Sequence, residues 1–261
     1  CAFVLHVASP FTIANPKTED EMISPAVEGT LRVLRAAKQA GVERVVLTSS
    51  ALAMFGSMKT GTFGPEDWTD VNAPKVSTYT KSKTLAERAA WDFVAEQSGD
   101  HAMELVVINP GGVFGPPLGK NISGQTMSIV DHVLSGEMPR VANGALAMAD
   151  VRDVAMRHVQ AMTLPEAKGL RVVVASDGPL GFAQVAQILI DDGYKGPSTR
   201  IAPSSLLRFL SLFDREAKGM IGFLGMKLGA DNSRTRELFG WTPTPLEQSV
   251  RETAAAVQAM R

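Results

Sequence analysis

Tyr79 and Lys83 lie four residues apart in the run Ser77-Thr78-Tyr79-Thr80-Lys81-Ser82-Lys83. On a helix this spacing places the phenol and the ammonium on one face. A cation held beside a phenol favours the phenolate, lowering its pKa from about 10 toward the range where the hydroxyl exchanges protons near neutral pH. The pair is equipped for acid–base chemistry. The same two residues also suit an ordinary exposed helix pair, so their surroundings decide.

Upstream, Arg44-Val45-Val46-Leu47-Thr48-Ser49-Ser50 reads as a short buried parallel strand that ends in hydroxyls. The active groups of open α/β sheets sit at such carboxyl ends. Downstream, Leu105-Val106-Val107-Ile108-Asn109-Pro110 is a second apolar strand, running into the turn Gly111-Gly112-Val113-Phe114-Gly115-Pro116. A strand is expected over residues 3–7 and a helix over 25–40, where Val27, Leu31, Leu34 and Ala37 recur at helical spacing before Gly41. An irregular Gly/Pro/Asp stretch fills 55–74. The helix over 79–97 is expected to turn Leu85, Ala89 and Phe93 inward. A loop-rich region then extends to 144, followed by a helix over 152–163 and a strand over 170–175.

This alternation predicts an α/β fold with a doubly wound parallel sheet and right-handed crossovers. Beyond Asp177 helical segments dominate, over 182–192, 204–212 and 246–260. The chain divides into a Rossmann-type dinucleotide-binding domain, residues 1–118 and 146–176, and a smaller, mostly helical substrate lobe, residues 119–145 and 177–261.

With 261 residues, 45% hydrophobic and 20% charged, the chain can bury a sizeable core. A net charge of −1 without a Lys/Arg cluster argues against a nucleic-acid surface or a polybasic membrane patch. One cysteine excludes an internal disulfide framework and fits a reducing, cytoplasmic setting. His6, His101, His132 and His158 show no metal-ligand spacing, so no metal is expected. Methionines such as Met220 and Met226 read as adaptable packing. Phe209, Leu210, Leu212 and Phe213 suit either a pocket wall or a lobe core.

Taken in order, several runs resemble the extended branch of the short-chain dehydrogenase/reductase superfamily, and within it the dihydroflavonol-reductase-like aldehyde and ketone reductases. They are Leu5-His6-Val7-Ala8-Ser9-Pro10-Phe11, Pro25-Ala26-Val27-Glu28-Gly29-Thr30, Thr48-Ser49-Ser50, Tyr79 with Lys83, Asn109-Pro110 through Pro116, Asp150-Val151-Arg152-Asp153-Val154-Ala155, Asp231-Asn232-Ser233 and Leu238-Phe239-Gly240-Trp241. The resemblance implies a carbonyl reductase using NADP(H) in preference to NAD(H) on a small-molecule substrate, as a monomer or homodimer. Tyr79 would be the general acid, Lys83 would lower its pKa and hold the nicotinamide ribose, and Ser50, with Ser49 as fallback, would bind the substrate oxygen. Ala8, Ser9, Pro10, Thr48, Ser49, Pro110, Gly111 and Val113 would face the cofactor. Phe55 and Phe114 would line the substrate pocket. Asp150, Arg152 and Asp153 would brace the two lobes.

Three departures sharpen these expectations. Members of this family open with a strand and a Gly-rich turn that cradles the pyrophosphate. The sequence contains no such turn, so the chain is expected to start partway into the fold, at Cys1, and to bind NADP(H) weakly by itself. Ala26 stands where many members place an asparagine of the proton path. Phe55 stands where flavonoid-reducing members place an asparagine, which argues for aryl or alkyl carbonyls. Two other readings stay open: a nucleotide-sugar epimerase or dehydratase, for which the insertion offers only Lys120 and Arg140 as cations, and a non-catalytic binding protein on the same scaffold.

Overall fold

Apolar strands buried on both faces need helices on each side, and the first sheet is built that way. The computed structural model describes residues 1–11, 16–98, 102–119, 125–213 and 221–261. Lys120, His101 and Met220 lie outside them. In chain order come β1 (Phe3–His6), α1 (Asp20–Gln39), β2 (Arg44–Thr48), α2 (Leu52–Phe55), β3 (Thr60–Phe63), α3 (Thr78–Ala95), β4 (Glu104–Pro110), β5 (Gly112–Phe114), α4 (Gln125–Ser135), β6 (Ala145–Asp150), α5 (Val151–Thr163), β7 (Arg171–Val174), β8 (Pro179–Gly181), α6 (Phe182–Asp191), α7 (Ser204–Leu210), β9 (Lys227–Ala230), α8 (Ser233–Phe239) and α9 (Leu246–Ala259).

Strands β1, β2, β4 and β7 pair in that order, all parallel. On one face Val45, Leu47, Leu105 and Val107 cluster with Leu34 and Ala37 of α1 and Ala90 of α3. On the other, Val46, Val106 and Ile108 cluster with Ala161 of α5 and with Trp241. This is the α/β architecture that the alternation predicts. At the β1 edge, Leu5 and Val7 are exposed. Among the described residues no helix is long and apolar enough to cross a membrane.

Helix α1 begins five residues ahead of the expected start, with Pro25 inside it. A proline near a helix start reads as its first residue. Its fixed φ is nevertheless helical, and at this position only the Glu21 carbonyl loses an intrahelical partner. Asp20 and Glu21 in the first turn and Lys38 in the last suit the helix dipole. The inward face of α3 also differs from expectation. Thr80, Lys83, Thr84, Glu87 and Ala90 are buried, whereas Leu85, Ala89 and Phe93 are half-buried. The buried groups are polar because they meet polar partners at the sheet.

A second sheet, not legible in the sequence, has the order β3-β9-β6-β5, with β8 antiparallel on β6. It takes β3 from the stretch read as irregular, and β5 and the larger part of β6 from the range assigned to the dinucleotide domain. The second lobe is therefore a sheet with helices. Apart from β6, its strands are three or four residues long and contain glycine or proline, as in Thr60-Gly61-Thr62-Phe63 and Pro179-Leu180-Gly181, so they carry no readable period. Phe114, Met148, Leu189, Val250 and Val257 form its core with α4, α6 and α9.

Gly111 lies where the two sheets meet. A Cβ there would stand 2.5 Å from the Ala147 carbonyl oxygen and 2.7 Å from its carbon. A close backbone approach that demands glycine is thus made by β6. Gly29, inside α1, has open space around it. We expect Gly111→Ala to destabilise the protein by about 1–3 kcal/mol through overpacking, and Gly29→Ala to stabilise it by about 0.5–1 kcal/mol through helix propensity. Urea unfolding of both variants checks this, and effects of equal sign would contradict the assigned contact.

Candidate active site

Helix α3 starts where Ser77, in extended conformation, accepts a hydrogen bond at its Oγ from the Thr80 N–H at 3.1 Å. This N-cap fixes Tyr79 in the first turn and Lys83 one turn deeper, beside the carboxyl end of β2. Lys83 Nζ donates to the Thr48 carbonyl at 3.3 Å. The Tyr79 hydroxyl lies close enough to the Ser50 side chain for that hydroxyl to act on its pKa, and its ring packs at 4.8 Å on that of Phe11. Ser50 Oγ also accepts from the Leu52 N–H at 3.2 Å. The structure thus brings together Ser50, Tyr79 and Lys83. Ala8, Ser9 and Pro10 follow β1 and lead to the Phe11 ring against Tyr79.

Electrostatics in the site run against the expectation that Lys83 depresses the phenol pKa. Burial pushes the Tyr79 hydroxyl up to about 12, and the nearby Ser50 side chain only partly opposes it. Burial also pulls Lys83 down to about 8, against the carboxylate of Glu87, which pulls it up. Withdrawing both groups from water disfavours both charges. Tyr79 therefore stays a protonated phenol through the neutral range, the form that donates a proton.

Beneath the pair is a buried polar network that the sequence reading missed. Glu87, one turn beyond Lys83 on the same face, is fully buried. Its Oε2 accepts from Ser49 Oγ at 2.5 Å and from Asn109 Nδ2 at 2.8 Å, and its Oε1 accepts from Arg171 Nε at 2.6 Å. Asn109 Nδ2 also donates to the Ser50 carbonyl at 3.2 Å. Arg171 donates to the Pro65 and Asp67 carbonyls and stacks on Trp68 at 3.8 Å. The spacing of Tyr79, Lys83 and Glu87 at successive fours was the available signal. His6, next to Leu47 in register, is also buried; among the described residues its Nε2 has no partner, and burial together with Lys83 lowers its pKa.

Several expected site residues are turned elsewhere. The Thr48 hydroxyl meets His158 Nε2 of α5 at 2.6 Å, and the Ser49 hydroxyl is held by Glu87. Neither reaches the site with its side chain, and Ser49 cannot replace Ser50. The Pro110 carbonyl accepts from the Ala51 N–H, the Gly111 N–H donates to the Val174 carbonyl, and Val113 pairs with Ala149. These three residues form the seam between sheets. Phe55 is only 1% exposed, packed on Phe63 at 5.9 Å in the cluster of Met226 and Leu228. Phe114 is likewise core. Neither lines an open pocket, so Phe55 no longer argues against hydroxylated aromatic carbonyls. Of the anticipated cations, Arg140 donates to the Ile201 carbonyl at 3.4 Å.

The Asp150 cluster joins α5 to the second lobe. Asp150 accepts from the Arg152 N–H at 2.8 Å and from Ser249 Oγ at 2.6 Å, and Arg152 reaches Glu252 at 2.7 Å. Asp153 accepts from the Thr244 N–H at 2.8 Å. Among the described residues, no group of three or more His, Cys, Asp or Glu is placed to hold a metal ion.

The sequence matches the NAD dependent epimerase/dehydratase family over residues 1–175. It is 30% identical over 278 residues to the NADPH-dependent methylglyoxal reductase GRE2 of Saccharomyces cerevisiae, covering 97% of this chain and 75% of that protein. Ketoreductase azaE of Aspergillus niger is 31% identical over 271 residues, covering 97% of this chain and 74% of that protein. Among solved structures, yeast methylglyoxal/isovaleraldehyde reductase Gre2 complexed with NADPH is similar with a TM-score of 0.78 at 28% identity, covering 99% of this chain and 77% of that one.

Two stability predictions follow from the buried charges. Lys83 holds its proton less tightly when folded, so between about pH 8 and the ordinary value of 10.5 the unfolded chain binds more protons and stability rises with pH. Below that window the folded protein carries the whole cost of a buried ammonium. Lys83→Met should therefore stabilise the protein at pH 7 by about 1–3 kcal/mol and flatten the alkaline rise. Urea unfolding at pH 7 and pH 10 reads both effects, and a variant no more stable than the parent at pH 7 counts against a strained ammonium. Glu87→Gln leaves Arg171 buried without its counter-charge and should cost about 3–5 kcal/mol in the same assay.

Proposed function

The chain belongs to the NAD dependent epimerase/dehydratase family, and on that premise we propose that it is an NADPH-dependent reductase of aldehydes or ketones in which Tyr79 is the general acid. The observation that carries this reading is a phenol kept protonated by burial, beside the Ser50 side chain and one helical turn from the Lys83 ammonium. Relatives similar over nearly the whole chain are named as reductases, one of them NADPH-dependent. The single cysteine supports a reducing, cytoplasmic setting.

The residues present fit the nicotinamide ribose end of the cofactor. Lys83 carries three N–H groups, and its described acceptor is the Thr48 carbonyl, which leaves donors for ribose hydroxyls. The buried His6 Nε2, without a partner among the described residues, lies close enough to Lys83 to feel its charge. Bound there, a reduced nicotinamide supplies hydride to the carbonyl carbon. Tyr79 Oη gives its proton to the carbonyl oxygen as the C=O π pair becomes an O–H bond. Ser50 holds the same oxygen through its hydroxyl. Lys83 steadies the tyrosinate left behind, and water restores the proton.

In the complete protein, Tyr79→Phe should lower kcat for an aldehyde such as methylglyoxal by about 10²–10⁴-fold with NADPH affinity unchanged. Near-parental turnover by that variant would remove Tyr79 from the role. Because Lys83 loses its charge near pH 8, kcat/KM for reduction should fall as pH rises past that value.

A further inference from the structure

A cavity of about 420 Å³ is lined by Lys59, Lys75, Arg208, Ile221 and Leu224, a volume suited to a small ligand. Among the described residues, three cations and two aliphatic side chains line one concavity, and no carboxylate is in the lining. Among the described residues none of the three cations forms an ion pair. Lys59 and Lys75 are near enough for repulsion, after burial, to lower the Lys59 pKa. Like charges gathered in this way raise the energy of the unliganded protein and are relieved by an anion.

The cavity adjoins the proposed acid. A Cβ on Gly222, between the lining residues Ile221 and Leu224, would lie 3.4 Å from the Lys75 carbonyl oxygen and 3.7 Å from Cβ of Ser77, the N-cap of α3. Four virtual bonds separate Lys75 from Tyr79, so their Cα atoms are at most about 15 Å apart. Lys59 Nζ is aimed by the Gly222 and Leu224 carbonyls, at 2.8 and 3.4 Å. Lys75 has φ 70°, the left-handed region, where glycine would be unstrained. The chain thus holds a lysine at a strained position beside the site.

We propose that this cavity is a specificity subsite for an anionic group, a carboxylate or phosphate, carried by the carbonyl substrate a few bonds from the reacting carbon. The inference rests on the reductase reading and narrows it to acidic carbonyl compounds. Ile221 and Leu224 contact the carbon chain that joins the two ends. The three cations hold the anion and so orient the carbonyl toward Tyr79.

The test uses the complete protein, NADPH and matched substrate pairs: 4-oxobutanoate against butanal for the carboxylate, and glyceraldehyde 3-phosphate against glyceraldehyde for the phosphate. One acid should exceed its neutral partner in kcat/KM by about tenfold, the equivalent of one good charged contact. Lys75→Gln and Arg208→Gln, both at exposed positions, should each erase most of that preference through KM while leaving the neutral aldehyde within about twofold. Raising the salt tenfold should shrink the preference as well. Whichever pair responds identifies the anion. Equal handling of both members of both pairs, or parallel losses on acid and neutral substrate in the variants, overturns the proposal while leaving carbonyl reduction in place. If no aldehyde is turned over, the reductase reading fails instead, and calorimetric titration with butanoate and inorganic phosphate decides the subsite. Binding lost in Arg208→Gln upholds it, and no binding to the parent overturns it.

Discussion

A single buried carboxylate fixes helix α3 on the sheet. Glu87 is fully withdrawn from water, which costs several kcal/mol unless every lone pair is matched. The match comes from three strands at once: Ser49 at the end of β2, Asn109 in β4 and Arg171 at the start of β7. Sliding α3 by one residue would break all of these bonds together. The register that places Tyr79 over Ser50 is therefore set from below, by a polar network with few acceptable alternatives. Asn109 makes the coupling direct, because one amide nitrogen serves both the Glu87 carboxylate and the Ser50 carbonyl.

The same network explains how a lysine is kept inside. Lys83 is buried at a cost seen in its lowered pKa, and the carboxylate one turn below offsets part of it. Glu87 is shared with Arg171, so it does not hold Lys83 in a closed ion pair. The ammonium keeps donors in reserve above the Thr48 carbonyl. Stability has been given up here for an unsaturated charge, a common compromise at functional sites.

Much of this was legible in the sequence, for definite reasons. Val45 to Leu47 and Leu105 to Ile108 are continuous apolar runs, which only strands covered on both faces require, and Tyr79 and Lys83 share a face on any helix. Periodicity failed on α3 because its inner face is Lys83, Thr84 and Glu87, residues that a hydrophobic pattern assigns to solvent. It failed on the second sheet because four of its strands are three or four residues long with glycine or proline, and β6, Ala145 to Asp150, is apolar at nearly every position and does not alternate. Phe55 was misjudged because an aromatic near a catalytic serine looks the same in sequence whether it faces a cavity or Phe63. The need for glycine at position 111 was not legible either, because the chain that approaches it, Ala147 of β6, belongs to an element that the sequence did not reveal.

That second sheet divides the labour of the molecule. The proposed chemistry sits at the carboxyl ends of the first sheet, where parallel strands and a capped helix fix the polar atoms. The cationic cavity is assembled differently, from Lys59 just ahead of β3, Lys75 just ahead of α3, Arg208 of α7 and the turn before β9. Strand β3 pairs with β9 from Thr60↔Lys227 onward, and Lys59 accepts the Lys227 N–H at its carbonyl. Substitutions on α7 can thus alter the charge of the cavity without disturbing the Glu87 network. The reacting centre is over-determined by buried bonds, whereas the groups that would choose a substrate are exposed and few. An arrangement of this kind lets specificity change while the acid, its serine and its lysine stay where the carboxylate holds them.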